Sequence, residues 1–567
     1  MDKLRKLPIG IDNFQKLITS NYYYVDKTMM INEILEAGSE VTLITRPRRF
    51  GKTLNMSMLK YFFEDTTQLE DEEDSYAYLF DNLKISAQSC MKEQGGYPVI
   101  DLTFKECKLG TWEKTFYKIK EVIQNEYERH EYVLENSNLS SRQKKMFVDV
   151  LDDNCDELAY TSAIVNLSKI LSQHYKKSCI ILLDEYDVPL QNAHVEGFYD
   201  RAIEFIRSLF SSTFKQNRYM KFGVITGCLR IGKESIFTGW NNVDVQTVIG
   251  DLYLSDFGIT VAEKDKLLRE YNLQYEDELI KKWYDGYNFG GVEIYNPWDL
   301  LNYVRNKKIN SARTPQSYWI GTSGNDILQE LLETKNSETQ KSIKLLIADE
   351  EIDKKISESL TYGYLKSEPE NVWSILLFTG YLTGRLDVEK NLYKLRIPNK
   401  SIRQCYIEQI ENYNNRQLKP DFADKLEQHL VKGEGEKVSE LLNEYLNSTL
   451  SYYDDLEAFY HGLVTGICSA FPHYKAESNK EAGTGRADII LRPIEDDTLP
   501  GIILEFKWKK SDAHLDVSAQ EGFNQIKNNE YCKAFGINVD NVRKYGIAFS
   551  GKKCSVAWKK ATNKKNK

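Results

Sequence analysis

The sequence has no apolar run approaching the ~18 residues that a membrane-spanning helix needs. Its first residues, MDKLRKLPIGIDNF, lack the continuous apolar core of a secretory signal, so the expected compartment is the cytoplasm and no membrane partner is expected. Nine cysteines are scattered without one C-x-x-C pair, which argues against a zinc knuckle or a disulfide framework and leaves reduced thiols as the expectation. Repeats and low-complexity tracts are also missing. With 41% hydrophobic, 28% charged and 12% aromatic residues, the chain is neither disordered nor collagen-like. At ~150 residues per domain its length suggests three to four compact units.

An overall excess of positive charge is lacking as well: 75 Lys and Arg against 84 Asp and Glu give −9, which argues against a general coat for nucleic acid. The average hides a polarity. From Glu505 onward, 14 basic residues face six acids, so the chain upstream carries −17. The closing stretch GKKCSVAWKKATNKKNK has seven lysines and no acid, as a phosphate-binding tail or a solvated end would. The acidic cluster from Glu70 to Asp74 reads as an exposed loop.

What is present falls into three blocks. Residues 1–250 alternate apolar strands (Val41 to Thr45, Tyr97 to Phe104, Cys179 to Leu183, Lys221 to Thr226) with amphipathic helices, which predicts an α/β parallel sheet. Residues 251–450 read as a mostly helical lid or adaptor, with turn signals at Tyr284-Asp285-Gly286-Tyr287-Asn288 and Asn296-Pro297. Residues 451–567 open with a helix and change to strands at Ala487.

In the first block, VTLITRPRRFGKTLNMSMLKYFF reads as strand, loop, GK[ST], helix. A phosphate loop needs backbone N–H groups at a helix start, a lysine for the β/γ-phosphates and a hydroxyl for Mg²⁺. Gly51, Lys52 and Thr53 supply these, while Arg46 stands where such loops usually have their first glycine. Arg48 and Arg49 either add charge beside the phosphates or pair with acids on a neighbouring element. The run Cys179-Ile180-Ile181-Leu182-Leu183-Asp184-Glu185 is a buried strand ending in two acids. Asp184 suits the holding of Mg²⁺, and Glu185 the orientation of attacking water. Thr226, ending another core strand, and Arg230 are candidate γ-phosphate sensors, or parts of a plain strand turn.

LPIGIDNF, YYYVDKT, LITRPRRFGKTL, ILLDEYDVPL and TGCLRIGKESIFTGWNNV together resemble the AAA-ATPase-like family of bacterial proteins, whose phosphate loop has the RPRRFGK[ST] form. The resemblance covers residues 4 to 250 and continues weakly through YDGYNF, YNPW and FTGYLT. It implies a P-loop NTPase domain in which the missing glycine is a family trait, with ATP and Mg²⁺ as cofactors. ATP-linked homo-oligomerisation is expected, because sites of this type often borrow an arginine from a neighbouring subunit.

In the third block, AGTGRADIILRPIEDDTLPGIILEFKWKK reads as two strands, Ala487 to Arg492 and Ile502 to Trp508, around an acidic turn. Ile503, Glu505 and Lys507 share one face of the second strand, and Asp488 lies within reach from the first. An acid and a lysine beside an isoleucine are costly to bury unless they bind something. Two carboxylates for Mg²⁺ or Mn²⁺ and a lysine for the attacking water meet the needs of metal-assisted phosphodiester cleavage. With a helix upstream (Leu456 to Ile467) and another downstream, the order resembles the PD-(D/E)XK nuclease superfamily. Glu481-Ala482-Gly483-Thr484-Gly485-Arg486-Ala487-Asp488 matches the E-x-G-x-G-R-x-D form appended to AAA-ATPase-like proteins. The resemblance implies Asp488 and Glu505 as metal ligands, Lys507 as the water-activating cation, Glu457 as a supporting acid and Gln525 as a substrate or positioning contact. The expected function is an ATP-binding and ATP-hydrolysing protein coupled to a metal-dependent nuclease for DNA or RNA. The alternative is a nucleotide-dependent switch whose nuclease-like domain binds nucleic acid or protein without cutting.

Overall fold

The computed structural model describes residues 4–68, 75–136, 138–231, 242–319, 328, 337–358, 371–416, 421–449, 457–482, 485–494, 498–509 and 511–559. The acidic cluster near Glu70, the GT pair at 483–484, Leu456 and the tail beyond 559 therefore lie outside the described residues. The chain forms two compact units, Met1–Ser323 with Asp353–Ile402, and Gly324–Ile352 with Arg403–Lys567. This is fewer than length suggests, because the middle region divides between the two. Among the described residues no helix is long and apolar enough to cross a membrane, and all nine cysteines are free.

The first unit is built on a five-stranded sheet of β1 (Val41–Thr45), β2 (Val99–Thr103), β3 (Cys179–Asp184), β4 (Met220–Gly227) and β5 (Val243–Gln246). Its order is β2-β3-β4-β1-β5, and every neighbouring pair is parallel. Continuous burial along β1 and β3 explains their unbroken apolar runs: a parallel sheet is covered on both faces, so no solvent face imposes alternation. The edge strand β5, VDVQ, was not expected from the sequence. It is half exposed and polar, and so carries little hydrophobic signal. The register Ile44↔Thr226 and Leu183↔Ile225 brings the carboxyl ends of β1, β4 and β3 side by side, where ligands bind in open α/β sheets.

In residues 251–323 and 353–402 the unit adds helices and two hairpins, Tyr287–Phe289 with Val292–Tyr295 and Thr383–Asp387 with Leu392–Arg396, so the mostly helical stretch also holds strands. Both turn signals are used. Gly286 has φ +93°, and a Cβ there would come within 2.1 Å of the Pro398 carbonyl, so glycine is required. Asn296 caps the helix Pro297–Ile309 by accepting from the N–H groups of Trp298 and Asp299.

The second unit holds a mixed sheet in chain order: β6 (Tyr474–Ala482), β7 (Gly485–Pro493), β8 (Gly501–Trp508), β9 (Val542–Ser550) and β10 (Lys553–Trp558). Only β8 and β9 run parallel, and the helix Leu515–Asn528 joins them. That helix lies close on the sheet because Gly546 of β9 faces its backbone, where a Cβ would come within 2.1 Å of the Ala519 carbonyl. The helix Glu457–Ser469 also packs on the sheet, with Tyr460 stacked on Phe549 at 4.5 Å.

Two candidate functional sites

The first site lies at the carboxyl ends of β1, β3 and β4. Gly51, in the left-handed region at φ +87°, turns the loop after β1 into the helix Lys52–Phe63, which starts with Lys52 and Thr53. Lys52 is 3% exposed; its Nζ donates to the Arg46 and Pro47 carbonyls (3.2 Å each) and lies 3.4 Å from Glu185. Burial works against its charge, but Cys228, Glu185, Asp187 and Asp184 outweigh that and hold its pKa above the ordinary lysine value. Thr53 donates to one Asp184 oxygen at 2.7 Å, and Thr226 donates to the other. Asp184 is pushed up, first by burial and then by Glu185. Glu185 sits at φ +54°, turning its side chain out of the strand direction as the chain leaves β3. The structure thus joins Lys52, Thr53, Asp184, Glu185 and Thr226 in one polar cluster.

The three loop arginines point elsewhere. Arg46 is fully buried and donates to the carbonyls of Thr45, Gln246, Leu252 and Tyr253 at 2.8–3.1 Å. It fastens the loop to the end of β5 and to the chain that follows, and burial lowers its pKa to about 10. Arg48 donates to Gln191 at 2.7 Å, and the Arg49 guanidinium stacks 4.3 Å from the Trp298 ring. Phe50 packs on Tyr287 and Phe289 of the first hairpin. Sequence adjacency located these residues but not their directions. Sequence reasoning passed over Tyr186 and Asp187, which complete the quoted DEYD string. Asp187 accepts from the N–H groups of Cys228 (2.9 Å) and Leu229 (3.0 Å), in the turn that carries Arg230.

The second site lies between β7 and β8. Their antiparallel register ends at Ile489↔Leu504, and beyond it a side chain takes over the ladder: Asp488 accepts from Phe506 N–H at 2.7 Å. Glu505 is 2% exposed, and its Oε2 has no hydrogen-bond partner. Burial, and then Asp488, push its pKa up to about 7, with Lys507 (3.4 Å from Oε1) pulling the other way. Asp488 is also raised, by burial. Asp488, Glu505 and Lys507 therefore converge. Gln525, on the helix packed against β8, donates to Tyr531 at 3.3 Å. Glu457 opens the helix Glu457–Ser469, and its side chain lies outside the described part. His461, one turn on, was not singled out in the sequence, since a lone histidine carries no pattern; its Nε2 lies 3.0 Å from the Asp488 carbonyl.

Among the described residues no three His, Cys, Asp or Glu side chains cluster as a metal site. The fit to a divalent cation rests on the carboxylate pair: an orphaned, buried oxygen on Glu505 beside a second acid suits a hard cation, with water supplying further oxygens. At the first site the donor set of threonine hydroxyl and aspartate suits Mg²⁺.

Comparison with known proteins agrees with this division. Residues 8–237 match the AAA-ATPase-like family, described as "Predicted AAA-ATPase", and residues 455–559 match the PD-(D/E)XK nuclease superfamily. An "Uncharacterized protein in vnfD 5'region" of Azotobacter chroococcum mcd 1 is 24% identical over 406 residues, which is 70% of this chain and 68% of that protein. The chain joins an AAA-ATPase-like domain to a domain of the PD-(D/E)XK nuclease superfamily.

Proposed function

We propose that the chain binds and hydrolyses ATP at the first site, and that this is coupled to metal-dependent cleavage of DNA or RNA phosphodiesters at the second. The observation that carries the cutting half is the buried, unpartnered Oε2 of Glu505 beside Asp488, with Lys507 3.4 Å from the other oxygen. For ATP, Lys52 exchanges Glu185 for phosphate oxygens, and Thr53 and Asp184 hold Mg²⁺. Glu185, once released, orients the water that attacks the γ-phosphorus and takes its proton as the bond to ADP breaks. Thr226 and Arg230 contact the γ-phosphate; Arg48 and Arg49, once released from Gln191 and Trp298, add positive charge near it. Arg46 keeps the loop in place through its four carbonyl bonds.

At the second site Asp488 and Glu505 hold Mg²⁺ or Mn²⁺, with Glu457 in support. Bound there, the cation lowers the pKa of water and neutralises charge on the scissile phosphate. Lys507 orients the water that attacks phosphorus; one P–O bond breaks, leaving a phosphomonoester and an alcohol. Gln525 contacts substrate or positions its neighbours. The basic balance after Glu505 favours a polyanionic substrate. We place the protein in the cytoplasm, with ATP-linked homo-oligomers.

The test is a cleavage assay on single- and double-stranded DNA and RNA with Mg²⁺ or Mn²⁺, with and without ATP. Metal-dependent products that vanish in Asp488→Ala are expected. Binding of the same nucleic acids without cutting under every condition favours the non-cleaving switch.

A further inference from the structure

Two buried residues just past the acids of the first site touch no nucleotide in the ATP reading, although the charge of Asp187 helps to hold that of Lys52. The Tyr186 hydroxyl donates to the Leu229 carbonyl at 2.6 Å and accepts from Ile231 N–H at 3.0 Å, while its backbone N–H donates to the Thr226 carbonyl at 3.0 Å. Asp187, 1% exposed, accepts from the N–H groups of Cys228 and Leu229. Its other oxygen has no hydrogen-bond partner and lies against Gly227, where a Cβ would come within 2.7 Å of it. Two consecutive residues thus make four hydrogen bonds to one turn and a fifth to the strand that leads into it, fixing the turn on both sides of Arg230.

Burying a phenol and a carboxylate, one oxygen of it unpartnered, is unfavourable in a merely structural turn that water could satisfy. We propose that Tyr186 and Asp187 are positioning residues that hold Arg230 at the γ-phosphate end of the nucleotide site. The acids of β3 and the turn after β4 then move as one body. This rests on the ATP reading and adds to it the residues through which hydrolysis and sensing are tied together.

The test uses the full chain, with a fluorescent ATP analogue for affinity and phosphate release for turnover. Tyr186→Phe deletes both hydroxyl bonds at nearly constant volume. Expected are a Kd within about twofold of the parent, a kcat at least ~10-fold lower and no further loss when Arg230→Ala, itself slow, is combined with it. Asp187→Asn keeps an acceptor oxygen and should hold kcat within about threefold of the parent, whereas Asp187→Ala should not. It also serves if Tyr186→Phe fails to fold. Losses that multiply in the double variant, an unchanged kcat in Tyr186→Phe, or a loss confined to Kd would overturn the inference and leave ATP binding standing. A parent that binds no ATP overturns the ATP reading, and this inference with it.

Discussion

The two sites solve the same problem, several buried charges in a small volume, in opposite ways. In the first, the lysine and the strand-end aspartate are paired inside the protein: Lys52 with Glu185 and two carbonyls, and both oxygens of Asp184 with threonine hydroxyls. A ligand there competes with existing bonds and gains only the difference. In the second, Lys507 donates to one Glu505 oxygen at the same 3.4 Å that separates Lys52 from Glu185, but the other Glu505 oxygen stays unpartnered next to Asp488. A cation there relieves repulsion and forfeits little. The first arrangement suits a ligand that comes, is consumed and leaves. The second suits an ion that stays.

One substitution made at both sites puts that contrast to its sharpest use. Glu505→Gln should remove cleavage by ~100-fold or more, together with any metal-induced rise in melting temperature, because it removes a ligand as well as a charge. Glu185→Gln should slow ATP hydrolysis by a comparable factor, about 100-fold, yet bind ATP as tightly as the parent or more so, since Lys52 loses an internal competitor. Nuclease and phosphate-release assays, each with a binding titration, read the four quantities. If Glu185→Gln weakens ATP binding, Glu185 does not compete with phosphate for Lys52.

The lysines give the next effect in size. Lys52→Ala should raise the Kd for ATP at least ~10-fold, and it should destabilise the first unit by roughly 3–5 kcal/mol because Asp184, Glu185 and Asp187 lose their buried counter-charge. Lys507 is 25% exposed and, among the described residues, hydrogen-bonds to one carboxylate oxygen only, so Lys507→Ala should keep metal-induced stabilisation and lose turnover. Calorimetric melts of both variants, with and without Mg²⁺, distinguish the two behaviours. Equal destabilisation by the two substitutions would erase the comparison.

The sequence made the chemistry easier to see than its surroundings. Strands β1, β3 and β8 were legible because burial on both faces leaves unbroken apolar runs, and the charged residues that end or interrupt those runs stand out. Strands β5 and β6 were not, because VDVQ and YKAESNKEA lie at sheet edges, where polar residues are tolerated. The direction of a side chain was the other hidden quantity. Arg46, Arg48 and Arg49 are adjacent in sequence, yet they end on four carbonyls, on Gln191 and on Trp298, because partners more than 100 residues away along the chain decide where each one turns. For the same reason DEYD showed its first two acids as chemistry and hid the hydrogen bonds that Tyr186 and Asp187 make to the turn after β4.

The smallest expected effect concerns pH. Glu505 titrates at about 7 in the folded chain against an ordinary value near 4.5, so the folded state holds a proton that the unfolded state has released between those values. Its contribution to stability is therefore complete below pH 4.5 and is lost as pH rises through 7, amounting to about 3 kcal/mol at most. Other buried acids, among them Asp256, Asp285 and Asp299 in the first unit, are raised to about 7 as well, so the parent's own pH profile mixes many groups. The difference between the parent and Glu505→Gln isolates this one, because glutamine keeps the shape and cannot titrate. In melts without metal, the parent should lose a few degrees relative to the variant between pH 5 and pH 8. Mg²⁺ should return most of that loss at pH 8 and add little at pH 5, where a proton already occupies the carboxyl group. A parent-minus-variant difference that stays flat with pH would mean that Glu505 is ionised throughout. Lys507 would then hold Glu505 ionised without metal, and the second site would be as self-satisfied as the first.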